Sequence, residues 1–188
     1  MANLSREEVR NVGYALLFHD LGKADRFLFD EDRRVVHFYH HEKASCDLAH
    51  EIMVRLRFST HDMRVIEFLI INHMRIFLLA SSGSSERGIR RLVYQAGDLT
   101  PHLIVHTLCD LYGSSGGEDN PSTLQVRETC RHVEEAFEEW KMEPVPPLIN
   151  GRDLLALGFK EGPSVGNLLR SIRDRQIGGD LRTRQEAL

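Results

Sequence analysis

Apolar positions recur at helical spacing through most of the chain, and polar caps mark where the helices begin. Ser5-x-x-Glu8 is a capping box, followed by Val9, Val12, Leu16 and His19 at steps of three and four, with Leu4 and Val9 placed to form a hydrophobic staple. This predicts a first helix from Ser5 whose core stripe ends on a histidine. A second helix runs from about His41 to Arg57, with His41, Ser45, Leu48, Ile52 and Leu56 on one face. A third begins near Ser59 or Thr60 and carries Ile66, Ile70 and His73 on a common stripe. After the turn-like Ser81-Ser-Gly-Ser-Ser85, a short helix stops at Gly97, and Thr100-Pro101 opens another with Ile104, Leu108 and Leu111. Asp110 falls within that last apolar helix, one turn after His106. Between the first two helices, Arg26-Phe-Leu-Phe29 and Val35-Val-His-Phe-Tyr39 flank Asp30-Glu-Asp-Arg-Arg34, which describes a short hairpin or an irregular loop. It reads either as a substrate-contacting lid or as an ordinary connection.

Beyond Gly117 the composition shifts. Asn120-Pro121 leads into the capping box Ser122-x-x-Gln125 and a helix whose Val126, Cys130, Val133, Phe137 and Trp140 form one stripe. Glu134, Glu135, Glu138 and Glu139 make the opposite face a solvated acidic one. Pro144-Val-Pro-Pro147 reads as a stiff linker. From Leu148 to Arg170 the pattern describes two short helices joined by a turn, with Pro163 in the first turn of the second. The expected fold class is all-α, a helical bundle with a C-terminal helical extension. Its expected parts are a helical domain over 1–118, an amphipathic helix with linker over 119–147 and a helix-turn-helix-like tail over 148–188.

With 188 residues, 41% of them hydrophobic and 28% charged, the chain can bury one sizeable core plus an appendage. A net charge of −4 argues against a protein that coats nucleic acid generally, while leaving room for a local basic surface. Cys46, Cys109 and Cys130 are odd in number and lack C-x-x-C spacing, so neither a disulfide framework nor a zinc knuckle is indicated. A reducing cytoplasm is the expected setting. The N-terminus has no apolar h-region, and Val65 to Ala80 is interrupted by Glu67, His73 and Arg75, so no export signal and no membrane span are expected.

The chemistry concentrates in the histidines. All ten lie between His19 and His132. Phe18-His19-Asp20-Leu21-Gly22-Lys23 sets an imidazole beside a carboxylate, donors that suit a divalent metal, with Gly22 allowing a sharp turn and Lys23 able to face an anionic substrate. The same residues also suit a plain helix C-terminus, where His and Lys complement the dipole. Four helices therefore deliver His19 with Asp20, His41, His73 and Asp110 toward the interior. Each has a structural use as well: His41 at a helix end, His73 as a hydrogen-bonded core residue, Asp110 as a partner of His106. A shared cation would offset several desolvation penalties at once, including that of an otherwise unpaired Asp110.

The order His19-Asp20-x-Gly22-Lys23, Tyr39-His-His41-Glu42 entering a helix, Asn72-His73-Met74, then Asp110 in a Leu-rich helix resembles the HD superfamily of metal-dependent phosphohydrolases. The resemblance implies His19, Asp20 and Asp110 as first-metal ligands, His41 and His73 as second-metal ligands and His40 as a weaker substitute for His41. The ion would be Mn, Mg, Ni, Co or Fe, with Asp20 and Lys23 in the chemistry. One feature departs from the pattern: the family carries a further histidine on a helix before the doublet, and residues 1–18 contain none. Either this chain corresponds to the later part of a longer protein, or its metal site is depleted.

In the tail, Asn150-Gly-x-Asp153-Leu, Gly158, Gly162-Pro163-x-Val165-Gly166 and Gln176 resemble the C-terminal segment of the bacterial tRNA nucleotidyltransferase and poly(A) polymerase family, where it follows an HD domain. The resemblance implies that Gly162 to Gly166 supports an RNA backbone. Arg170 and Arg173 add positive charge along the same helix. No paired-glycine, Arg-Asp and Asp-x-Asp constellation precedes the doublet, so nucleotide addition is not expected of this polypeptide alone. Two functions are thus in view. One is hydrolysis of a phosphomonoester or cyclic phosphate of a nucleotide or RNA end, in which an ion acidifies water and Lys23 neutralises phosphoryl charge. The other is a tRNA-holding body and tail with an impaired metal site.

Overall fold

The computed structural model describes residues 4–142 and 145–188, which places Pro144 of the expected linker outside the described residues. The fold is a mainly α-helical bundle with one small hairpin. Ser5 caps α1 (Arg6–Phe18), accepting from Glu8 N while the Glu8 carboxylate accepts from Ser5 N at 2.7 Å. The buried face of α1 is Asn11, Val12, Ala15 and Phe18 rather than the stripe through Val9, which is 56% exposed. Leu4 packs on the core, whereas Val9 stays largely outside it.

A 3₁₀ turn over Leu21–Asp25 leads into the hairpin of β1 (Leu28–Asp30) and β2 (Val35–His37), with Phe29 opposite Val36. The helix α2 (His41–Arg55) buries His41, Ser45, Ala49 and Met53, whereas Leu56 is 62% exposed. Strict four-residue steps drift around a 3.6-residue helix, so the buried stripe slants across α2 and leaves the Leu48–Leu56 line at its margin. Ser59 caps α3 (Thr60–Asn72), and after the break at His73 and Met74 follows the short α4 (Arg75–Ser81). Ser85 opens α5 (Glu86–Ala96), which Gly97 ends at a φ of 52°, as its position predicts. Then follow α6 (Thr100–Ser115), α7 (Pro121–Met142), α8 (Gly151–Ala156), α9 (Pro163–Ile177) and α10 (Arg184–Ala187).

Two cores form. The large one joins α1 to α7, with Met53, Ile66, Leu69, Ile70, Ile76, Leu92 and Leu103 fully buried. Val126, Cys130, Val133 and Phe137 of α7 enter it, so residues beyond 118 share the core of those before. The N-cap of α7 is Asn120 rather than Ser122: its Oδ1 accepts from both Ser122 N and Thr123 N at 3.0 Å, with Pro121 in the first turn. Gln125 instead donates to the Ala80 carbonyl at 2.7 Å, tying α7 to the end of α4. The small core holds Ile149, Leu154, Val165, Leu181 and Ala187.

Asp62, near the start of α3, binds α1 to it. It accepts from Asn11 Nδ2 at 2.8 Å, Arg10 at 2.9 Å and Ser59 Oγ at 2.8 Å, and the Asn11 bond, first among these, lowers its pKa. Asp62→Ala would strand the buried Asn11 amide and cost about 1–3 kcal/mol, read as a lower urea midpoint. Because the folded carboxyl titrates below its ordinary value near ~4, the contribution is present above that pH and fades as acid approaches the folded pKa. The variant's stability should therefore fall less steeply than the wild type's on acidification below about pH 4.

Candidate metal centre

Ends of helices build the site. His19 follows the last residue of α1, His41 is the first residue of α2, His73 follows α3, and Asp110 lies in α6. Each of the three histidines donates its Nδ1–H to the carbonyl three residues earlier: His19 to Leu16 at 2.8 Å, His41 to Phe38 at 2.9 Å and His73 to Ile70 at 2.7 Å. A carbonyl oxygen can only accept, so a proton sits on each Nδ1 and each Nε2 faces inward, the arrangement that orients metal-binding imidazoles.

Those Nε2 atoms converge. His41 Nε2 lies 3.1 Å from His73 Nε2 and 3.5 Å from Asp20 Oδ1. Asp20, His41 and His73 offer ligand atoms within 4.8 Å of one another. Two neutral imidazoles that each donate through Nδ1 would oppose lone pairs at 3.1 Å, so a proton or a cation belongs between them. Burial, above all, lowers the pKa of His73, and the charge on His19 adds to it, which disfavours the proton. Asp20 Oδ1 is buried without an aligned hydrogen bond. Two imidazole nitrogens and a carboxylate oxygen left in this condition fit a divalent ion of borderline hardness.

His19 plays a second part. Its Nε2 is 3.3 Å from Asp20 Oδ2 and 3.6 Å from Asp110 Oδ1. Burial opposes its charged form, but the two carboxylates, Asp110 and then Asp20, outweigh that and push it up to about 10. Burial likewise works against ionised Asp20 and Asp110, and contact with His19 more than compensates, lowering both. Lys23 Nζ completes the charge balance at 2.7 Å from Asp20 Oδ2 and stands over the Phe38 ring at 5.6 Å. The structure thus groups Asp20 with His41 and His73, sets His19 and Asp110 beside them, and leaves His40 outside with an 85% exposed side chain.

One residue of this cluster escapes a sequence reading. His106 is fully buried, and its ring centroid lies 5.3 Å from that of His19 and 6.1 Å from that of His73. Burial, with His19 and His73 adding to it, pushes its pKa down to about 4. It makes no contact of ion-pair length with Asp110 among the described residues, contrary to the partnership that its place one turn before Asp110 suggests. The available signal was that both residues share one face of an apolar helix.

Gly22 holds the doublet against α2. Its N–H donates to Ser45 Oγ at 2.9 Å, and an added Cβ would sit 2.5 Å from the His41 carbonyl oxygen and 2.5 Å from Ser45 N.

In the tail, Gly162 and Gly166 lie exposed at the start of α9, with open space where a Cβ would project. Arg170 is exposed and bonds only locally, to the Gly166 carbonyl and to Asn167 Oδ1. Arg173 differs. It donates to Tyr94 Oη at 3.0 Å, Gln176 Oε1 at 2.8 Å and the Val145 carbonyl, and its guanidinium covers the Tyr94 ring at 4.8 Å. The Tyr94 bond, with Arg91 to the Asp174 carbonyl, seats α9 on α5, and Arg87 holds Asp180 just beyond α9.

The chain matches no protein-family model. It is 31% identical over 180 residues to an A-adding tRNA nucleotidyltransferase of Deinococcus radiodurans, an alignment covering 93% of this chain and 39% of that protein. It is 28% identical over 176 residues to a CC-adding tRNA nucleotidyltransferase of Thermus thermophilus, covering 92% and 37% respectively. A CC-adding enzyme of Synechocystis is 26% identical over 152 residues, covering 77% of this chain and 33% of its own length. The resemblance to tRNA nucleotidyltransferases therefore runs nearly the whole length of this chain, which spans less than two fifths of the curated relatives it matches. Among the described residues no helix is long and apolar enough to cross a membrane.

Gly22→Ala should force α1 from α2 and cost about 1–3 kcal/mol or more, read in urea unfolding, and should shift the ring resonances of His41 and His73. Ser45→Ala, which only strands the buried Gly22 N–H, should cost about 1–3 kcal/mol with smaller ring shifts.

Proposed function

We propose that this chain is an RNA-holding helical region of a tRNA nucleotidyltransferase-type protein, larger or split. The observation that carries the reading is the colinear similarity to A-adding and CC-adding enzymes over 93% and 92% of the chain. In this reading nucleotide addition is not a property of these 188 residues alone. The tail supplies the contact. Gly162, Pro163 and Ser164 leave the first turn of α9 open, so backbone amides at its start can meet a phosphate, and Arg170 follows on the same helix. Arg173 serves the site by fixing α9 to the body. A cytoplasmic setting accords with the three free cysteines.

A second reading has its own support in the Asp20, His41 and His73 group, beside which lie His19 and Asp110. It is an HD-type phosphohydrolase acting on a phosphomonoester or cyclic phosphate at a nucleotide or RNA end. A divalent ion, Mn, Mg, Ni, Co or Fe, would supply Lewis acidity and acidified water there. The residues present Nε2 and carboxylate donors to it, and Lys23, standing at the outer oxygen of Asp20, can turn to a phosphoryl anion. The two readings are compatible in one chain.

Fluorescence anisotropy with tRNA tests the first reading. Binding should weaken with salt; Arg170→Ala should reduce affinity several-fold and lower the salt slope by about 1. Arg173→Ala should additionally lower the melting temperature. No binding at low salt would overturn the reading. For the second, turnover of phosphomonoesters and 2′,3′-cyclic nucleotides with added Mn, Mg, Ni or Co should vanish in Asp20→Ala and Asp110→Ala; unchanged turnover in both would remove the site.

A further inference from the structure

His106 is the buried polar group that the fold leaves least explained. It is 0% exposed, and neither of its ring nitrogens has a hydrogen-bond partner of sound geometry among the described residues, although the Ala15 carbonyl is near enough to attract a ring N–H. An unpartnered buried imidazole costs about 1–3 kcal/mol relative to an apolar residue of similar size. Such a group calls for a ligand, a water or a function.

Ring spacing narrows the choice. Imidazoles that share one ion at about 2.0–2.1 Å with tetrahedral angles have ring centroids roughly 5 Å apart. His41 and His73 are 5.0 Å apart, His19 and His73 5.1 Å, and His19 and His106 5.3 Å. His106 therefore stands from His19 at that interval, and 6.1 Å from His73 of the Asp20, His41 and His73 group. It comes from α6, the helix that also supplies Asp110 one turn later, so a single rigid element delivers both.

We propose that His106 is a further metal ligand of this centre, an imidazole contributed from α6 rather than from a helix preceding the His19-Asp20 doublet. The inference rests on the metal-binding reading of the Asp20, His41 and His73 group, and concerns ion binding whether or not the ion is used in hydrolysis.

Equilibrium dialysis of the full chain against Co2+, with the visible absorption of the bound ion recorded, tests it. Asp20→Ala marks the site, and His132→Gln, a change on the outer face of α7, is the control. Expected are Co2+ binding by wild type and control, at least about 10-fold weaker binding in His106→Gln and His106→Leu, and an altered absorption band in whatever complex remains. Circular dichroism establishes that each variant is folded; the polar Gln variant keeps the test valid if Leu at this position disturbs the core. Folded His106 variants that bind Co2+ with wild-type affinity and spectrum, while Asp20→Ala does not, overturn this inference alone. A wild-type chain that binds no Co2+ overturns the metal reading of the cluster and this inference with it.

Discussion

Gly22 lies flat against the first turn of α2, and everything in the candidate centre depends on that contact. The backbone N–H that ends in Ser45 Oγ at 2.9 Å fixes where the chain leaves α1, and hence where the Asp20 carboxylate points. No side chain fits there, since a Cβ would meet the His41 carbonyl and Ser45 amide at 2.5 Å. Two helix ends are held at backbone distance, and the histidine at one meets the aspartate at the other. The remaining donors arrive by the same economy: His73 closes α3 as His19 closes α1, each bonded through Nδ1 to its own last turn and each turning Nε2 into the cluster.

Electrostatics then separates the cluster into two halves. On one side His19 carries a proton between Asp20 and Asp110, and Lys23 sits on the outer oxygen of Asp20. On the other, His41, His73 and His106 lie deep, where for His73 and His106 burial opposes charge. Cations of the chain's own thus balance the carboxylates, while among the described residues both ring nitrogens of His106 lack a hydrogen-bond partner. A divalent ion binding near Asp20 would compete with Lys23 and with the His19 proton for the same carboxylate. The hairpin follows directly from Lys23, with the Phe38 ring beneath its ammonium, and leads straight into His41.

Guanidinium groups tie the tail to this body. Its own core is five buried side chains, too few to stand for much stability alone; Arg91 and Arg173 bridge α5 and α9, and Arg87 reaches Asp180 just beyond α9. Positive charge in the tail is thereby divided: some holds the tail in place, and some, as at Arg170, faces outward. That division leaves a local positive surface on a chain of net charge −4.

Helix identity was legible in the sequence wherever local chemistry decides it. Ser5, Ser59 and Ser85 stand before runs of helical period and cap them, Gly97 ends α5, and Pro101 and Pro163 sit in first turns, because caps and turns are satisfied within a few residues. The inward turn of His19, His41 and His73 was legible for the same reason, since each closes or opens an apolar stripe. The exact face buried was not. Val9 and Leu56 fit the period yet lie outside, as the neighbours of α1 and α2, rather than their own sequences, choose which line of residues is covered. Nor could spacing distinguish Arg170 from Arg173, three residues apart on one helix; only the position of Tyr94 on α5 commits the second. His106 shows the limit most clearly: one turn from Asp110 its evident partner was Asp110, and it is the crossing of α6 over α1 and α3 that sets it instead against His19 and His73. The chain alone determined which residue types end each helix, because capping and periodicity act within a few residues; which of them meet was decided by helix packing, which acts between residues tens of positions apart.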